Sequence, residues 1–275
     1  LIISPVHRVS MNRKHVSLLV ILTLLATAIC AAGCVGTTPS AEENKTLLIY
    51  AGAGLKGPMS EIGTIFGEQN GVTVDLTYGG SGVLISQMET TRLGDVFIPG
   101  GQPDYQNAVK KGLVSDISQP VAYHVPVIAV AKGNPLNITG VKDLASPGLR
   151  LALGDVNATA IGKAGVKIFE HANITGAVEA NVIVRGATIN EVVTALATGN
   201  ADAALITLDN AKGDKFTLIE IPVTDNSILI APVGITTFTT QPELAQKFAD
   251  FTASAEGKAI FEKYGFPAYP NDKYT

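Results

Sequence analysis

The sequence predicts an α/β protein of two lobes closing as a clamshell, each a mainly parallel sheet flanked by helices. Three observations predict it. Short apolar runs alternate with stretches of helical periodicity, which implies strands with helices packed on their faces. The alternation runs over residues 46–124 and restarts over 125–229. An apolar run at 228–235 then precedes two helical stretches, as expected of a chain returning to its first lobe over 230–275. A single doubly wound domain is the alternative reading of this pattern.

In the first series, Leu47-Leu48-Ile49-Tyr50 is a short strand broken by Ala51-Gly52-Ala53-Gly54. Pro58 suits the first turn of a helix whose apolar residues Met59, Ile62 and Phe66 recur at helical spacing. Residues 72–77 alternate as a strand up to Gly79-Gly80-Ser81-Gly82, and Leu84, Ile85 and Met88 form the next helix face. A third strand spans 95–98 and a helix 103–111. The second series places strands at 125–131, 149–153, 181–184 and 203–206, with helices from about 160 and over 189–196. Pro126 is tolerable at a strand's first residue. Helices at 244–251 and 258–264 close the chain.

The N-terminus indicates export. Residues 1–33 carry Arg8, Arg13 and Lys14 with no acidic residue, an apolar run over 16–29, and Ala31-Ala32-Gly33 before Cys34. A basic segment, a short apolar segment and small residues form an export signal, and the run is shorter than the roughly 20 residues of a spanning helix. Ala-Gly-Cys resembles a lipoprotein processing site, with Cys34 as the lipidated residue and 34–45 as a polar tether. The expected location is the outer face of the cytoplasmic membrane. Removing those three basic residues takes the net charge of −4 to −7.

An acidic exported chain is a poor partner for nucleic acid. With Cys30 lost and Cys34 lipidated, no thiol remains for a disulfide or a nucleophile. Only His124 and His171 remain as histidines, expected to be structural, so a His/Cys metal site is not anticipated. No serine motif with a histidine base is visible, which argues against an acyl-transfer enzyme. The absence of Trp argues against sugar stacking. No cofactor is expected.

Four strand-to-helix junctions share small residues and helix-start donors: 51–57, 79–83, 155–162 and 186–191. The last contains Thr188-Ile189-Asn190-Glu191, a capping box. Free N–H groups and the positive dipole end make helix starts natural anion sites, and glycine lets backbone approach a ligand closely. Lys56, Lys163 and Arg185 lie near these loops in no repeated pattern, so neutral donors would hold the anion. Four to six hydrogen bonds to charge, at roughly 1.5–3 kcal/mol each, reach the nanomolar range before association entropy is subtracted. Ser81 has a second reading as a helix cap. Asp155 has one as the acceptor that a protonated phosphate would need.

Several segments in order resemble one family. These are Ile49-Tyr50-Ala51-Gly52-Ala53-Gly54-Leu55, Tyr78-Gly79-Gly80-Ser81-Gly82-Val83-Leu84 and Leu93-Gly94-Asp95-Val96-Phe97-Ile98. Leu151-Ala152-Leu153-Gly154-Asp155, Gly199-Asn200-Ala201-Asp202-Ala203 and Lys263-Tyr264-Gly265-Phe266 follow. Together they resemble the molybdate-binding proteins of ABC importers, over nearly all of the folded chain. The resemblance implies a type II periplasmic-binding-protein-like fold and a molybdate or tungstate ligand, with phosphate or sulfate as rivals. It also implies partnership with an importer's membrane and ATPase subunits. Ser81 matches the family's second-loop serine, and helix-start backbone donors fall near Ile161 and Ile189. Two positions depart from the pattern. The first-loop serine is Gly54 here, leaving the N–H groups of Gly54 or Leu55, and a late-strand tyrosine falls at Thr207.

Overall fold

Strand β1 (Thr46–Gly52) is apolar on both faces, as a central strand of a covered sheet must be. Leu47, Ile49 and Ala51 pack into one core layer and Tyr50 into another. The computed structural model describes residues 45–211 and 214–274. The expected export signal, Cys34 and the tether to residue 44 lie outside them. Helix α1 (Lys56–Asn70) follows a 3-10 turn at Ala53–Leu55. Then come β2 (Thr73–Gly79), α2 (Ser81–Thr91), β3 (Val96–Ile98), α3 (Gln102–Lys110) and β4 (Val114–His124). The final elements are β10 (Leu229–Thr236), α7 (Pro242–Ala253) and α8 (Ala255–Lys263). The first sheet has the order β2-β1-β3-β10-β4. Met59, Ile62 and Phe66 of α1 bury against it beside Phe248 and Phe261, while Leu84, Ile85 and Met88 of α2 cover the other face.

The second lobe comprises β5 (Pro126–Ala131), β6 (Leu151–Gly154), α4 (Ala160–His171), α5 (Thr175–Asn181) and β7 (Val182–Gly186). It continues with α6 (Ile189–Ala197), β8 (Ala203–Thr207) and β9 (Phe216–Glu220). Its order, β7-β6-β8-β5-β9, repeats that of the first sheet. The fold is therefore the α/β, two-lobed one that the alternation predicts, with one refinement. Each sheet is mixed, because β10 and β5 run antiparallel to both of their neighbours.

Three elements were not foreseen. β4 and β9 are edge strands, and α5 precedes β7, so Asn181 is helical and not a strand residue. β4 hides because Pro120 interrupts its alternation. Pro120 stands opposite Pro232 at a register shift, where neither residue can donate to the ladder.

The chain passes between the sheets twice. Val125 joins β4 to β5, and 221–228 join β9 to β10. The second connection is tied to the first, because Asn226 Nδ2 donates to the Pro126 carbonyl at 2.9 Å. Among the described residues no helix is long and apolar enough to cross a membrane.

Candidate functional site

All four small-residue junctions line one cavity between the lobes. Gly52 ends β1, Ala53 and Gly54 belong to the 3-10 turn that leads into α1, and Gly79, Gly80 and Ser81 come from the end of β2 and the start of α2. The second lobe adds Thr159, Ala160 and Ile161 from α4, Thr188 and Ile189 from α6, and Thr207 from the end of β8. Gly100 and His124 complete the wall. The first N–H groups of a helix have no intrahelical acceptor, so four positive helix ends converge here, those of α2, α4 and α6 and that of the 3-10 turn continuous with α1. Thr159 and Thr188 set two of these starts: their hydroxyls accept from Gly162 N–H at 3.0 Å and Glu191 N–H at 3.4 Å. Glu191 in turn accepts from the Thr188 hydroxyl at 3.1 Å and from Ala187 N–H at 3.0 Å, so the expected capping box is half made: the carboxylate reaches the residue before the cap and not the Thr188 N–H.

Ser81 and Thr207 are prepared in the same way. Ser81, 3% exposed, is the first residue of α2 and its hydroxyl accepts from Gly100 N–H at 3.1 Å. Thr207 is equally buried, and its hydroxyl accepts from Asn210 Nδ2 at 2.9 Å. A hydroxyl that has accepted retains its proton to donate, so each can offer a donor to the cavity. The reading of Ser81 as a helix cap is corrected. Gly80 holds the cap position, and the Ser81 side chain makes no capping bond.

Leu55 was expected to serve through its backbone N–H, and its side chain is not part of the wall. That side chain packs into the first lobe's core from the 3-10 turn at 53–55, while Gly52, Ala53 and Gly54 line the cavity. The other five expected residues, Gly54, Ser81, Ile161, Ile189 and Thr207, surround the cavity. A Cβ on Gly54 would sit 3.2 Å from an Ile189 methyl and 3.4 Å from Asn210 Nδ2, so a serine there would press on side chains of the opposite lobe.

None of the three neighbouring cations enters. Lys56 lies over the Tyr78 ring, Lys163 pairs with buried Asp104 across the lobes, and Arg185 pairs with Glu179. Burial raises the Asp104 carboxyl above the usual range, although Lys163 works against it. Asp155 is also outside the wall. Its Oδ1 accepts from the N–H groups of Asn157 and Ala158, both at 2.8 Å, so it shapes its own loop.

His124 is the residue that the sequence reading assigned elsewhere, to a structural role. It ends the unforeseen strand β4, which is why its place in the wall was not legible. Asp209, in the 3-10 turn after β8, approaches its Nε2 to 3.4 Å.

The lobes meet tightly beside the cavity. Gly82 N–H donates to the Ala158 carbonyl at 3.0 Å. A Cβ on Gly80 would lie 2.4 Å from the Ala187 carbonyl oxygen, and one on Gly82 would lie 2.0 Å from that of Asn157. The glycines of the second loop thus serve approach between lobes, where the sequence suggested approach to a ligand. Measured by where the centre of a water molecule can sit, the cavity holds about 40 Å³. One water needs about 10–15 Å³ on that measure, so the space is small, of the order of a few water molecules.

The comparisons with known proteins agree with this picture. A binding protein of Haemophilus influenzae is 32% identical over 224 residues, covering 80% of this chain and 90% of its own. The molybdate-binding protein ModA of Mycobacterium tuberculosis is 26% identical, covering 94% and 98%. The sulfate-binding protein SubI of the same organism superposes with a TM-score of 0.71 at 18% identity, covering 82% of this chain and 88% of that one. At that identity the likeness establishes the fold alone. The model of a family described as bacterial extracellular solute-binding proteins matches residues 47–267, and this chain belongs to that family.

Proposed function

We propose that the protein captures a tetrahedral oxyanion, molybdate or tungstate, outside the cytoplasmic membrane and delivers it to an ABC importer. The observation that carries this reading is the convergence of four helix starts, two from each lobe, on one small cavity with no carboxylate in its wall. Backbone N–H groups and the Ser81 and Thr207 hydroxyls supply donors on all sides. Among the described residues no group of three His, Cys, Asp or Glu side chains is placed to hold a bare cation. Residues 46–124 with 230–275 would move as one body and 125–229 as the other, hinged at Val125 and 221–228. The outer rims of both lobes would meet the importer's membrane subunits.

Selectivity tests the reading. A protonated oxyanion such as phosphate at neutral pH must find an acceptor, and Asp155 is turned away. We expect calorimetric titration to give molybdate or tungstate at least ~100-fold tighter than phosphate, a gap of roughly 2.7 kcal/mol. Sulfate carries the same charge without the proton, so size alone should rank it. Phosphate binding as tightly as molybdate would overturn the assignment.

The location rests on Cys34. If it carries the lipid, Cys34→Ser should release the protein from membranes without changing ligand affinity. Wild-type protein that fractionates free of membranes and shows no lipid by mass spectrometry would refute the anchor.

A further inference from the structure

His124 is 6% exposed, and its ring forms part of the cavity wall. Its Nδ1 lies 2.9 Å from the carbonyl oxygen of Gly100. A carbonyl only accepts, so Nδ1 carries a proton. In a neutral ring Nε2 would then be a bare acceptor. Yet Nε2 faces Asp209 Oδ1 at 3.4 Å, and Asp209 is 4% exposed and belongs to the other lobe. Lone pairs facing each other out of reach of water are costly, so a proton belongs between them. The contact is within ion-pair reach, although its angles do not make a hydrogen bond.

Asp209 is the charged group placed against the ring. The other neighbours are uncharged: Gly100 from the loop after β3, Gly54 at the start of α1, and Phe266, whose ring centroid is 5.0 Å away. Burial alone lowers the pKa of His124. The Asp209 carboxylate and the Gly100 carbonyl outweigh burial and hold it above the ordinary value. The ring therefore keeps its second proton to a higher pH than an ordinary histidine does.

We propose that His124 is the cation of the oxyanion site, an imidazolium facing the cavity and balanced from behind by Asp209 of the opposite lobe. The proposal rests on reading the cavity as an oxyanion site. Asp209 is absent from the wall, so the pair is a dipole with its positive end toward the anion. Cε1 of the ring lies 3.5 Å from where a Cβ on Gly54 would stand, at the foot of the α1 start. Closure brings the carboxylate to the ring, so proton and anion are held together and each favours the other's binding. Because the pKa is raised, affinity is complete below the ordinary histidine value and declines as pH rises through the raised one.

The test combines nitrogen-15 NMR of the imidazole rings with calorimetric titration by sodium molybdate at neutral pH. His124 signals are assigned by their loss in His124→Gln, and thermal unfolding checks that each variant folds. We expect a doubly protonated His124 ring in the wild type and molybdate binding at least ~10-fold weaker in His124→Gln. That variant leaves a buried carboxylate unpaired beside the anion. The double variant His124→Gln/Asp209→Asn removes that charge and should bind molybdate more tightly than His124→Gln alone. Wild-type protein that binds molybdate with a neutral His124 ring would overturn this proposal alone, as would a double variant no tighter than the single one. Wild-type protein that binds no oxyanion would overturn the functional reading and this proposal with it.

Discussion

Gly82→Ala is expected to abolish tight anion capture while leaving both lobes folded. The added Cβ would lie 2.0 Å from the Asn157 carbonyl oxygen and 3.2 Å from Ala158 Cα. These are backbone atoms of the opposite lobe and cannot rotate aside. Within its own lobe the change is harmless. Gly82 does not have a positive φ, and alanine is a better helix former by up to ~1 kcal/mol. The clash therefore penalises the closed arrangement and not the fold. It also disturbs the Gly82 N–H bond to the Ala158 carbonyl. A penalty of roughly 3 kcal/mol on the closed arrangement lowers affinity at least ~100-fold. Titration should show that loss with an unchanged or raised melting temperature. Undiminished affinity would mean that the lobes do not close along this seam.

Ser81→Ala is expected to weaken binding on the order of 10- to 150-fold, the loss of one hydrogen bond to a charged group at roughly 1.5–3 kcal/mol. The variant keeps the backbone N–H and the dipole of α2, so binding should weaken without vanishing. It should also lower stability, because Gly100 N–H loses its acceptor in a buried setting, a cost of about 1–3 kcal/mol. Affinity is the deciding quantity. A lower melting temperature with an unchanged dissociation constant would leave Ser81 as an anchor for the loop after β3 and remove it from the site.

Much of this architecture was legible because local pattern and tertiary role coincide. Met59, Ile62 and Phe66 recur at helical spacing and all bury. The four small-residue junctions stood out because a backbone approach leaves a compositional trace. β4 and β9 left little trace, since an edge strand needs only partial burial and Pro120 breaks the alternation of β4. The cavity wall followed the same rule. Gly54, Ser81, Ile161, Ile189 and Thr207 were visible through their junctions or through resemblance. His124 was not, because its significance comes from Asp209, 85 positions later by their residue numbers and on the other lobe. The purpose of Gly80 and Gly82 was half legible: glycine signalled close approach, but not to which partner.

The central claim is that an oxyanion sits among the four helix starts, and crystallising the protein with molybdate tests it most directly. Anomalous scattering locates the molybdenum atom without reference to the protein. The account predicts one fully enclosed ion whose oxygens accept from the Ser81 and Thr207 hydroxyls and from N–H groups at the starts of α1, α2, α4 and α6. A molybdenum peak outside this cavity, or an ion held by side-chain cations on one lobe alone, would contradict it.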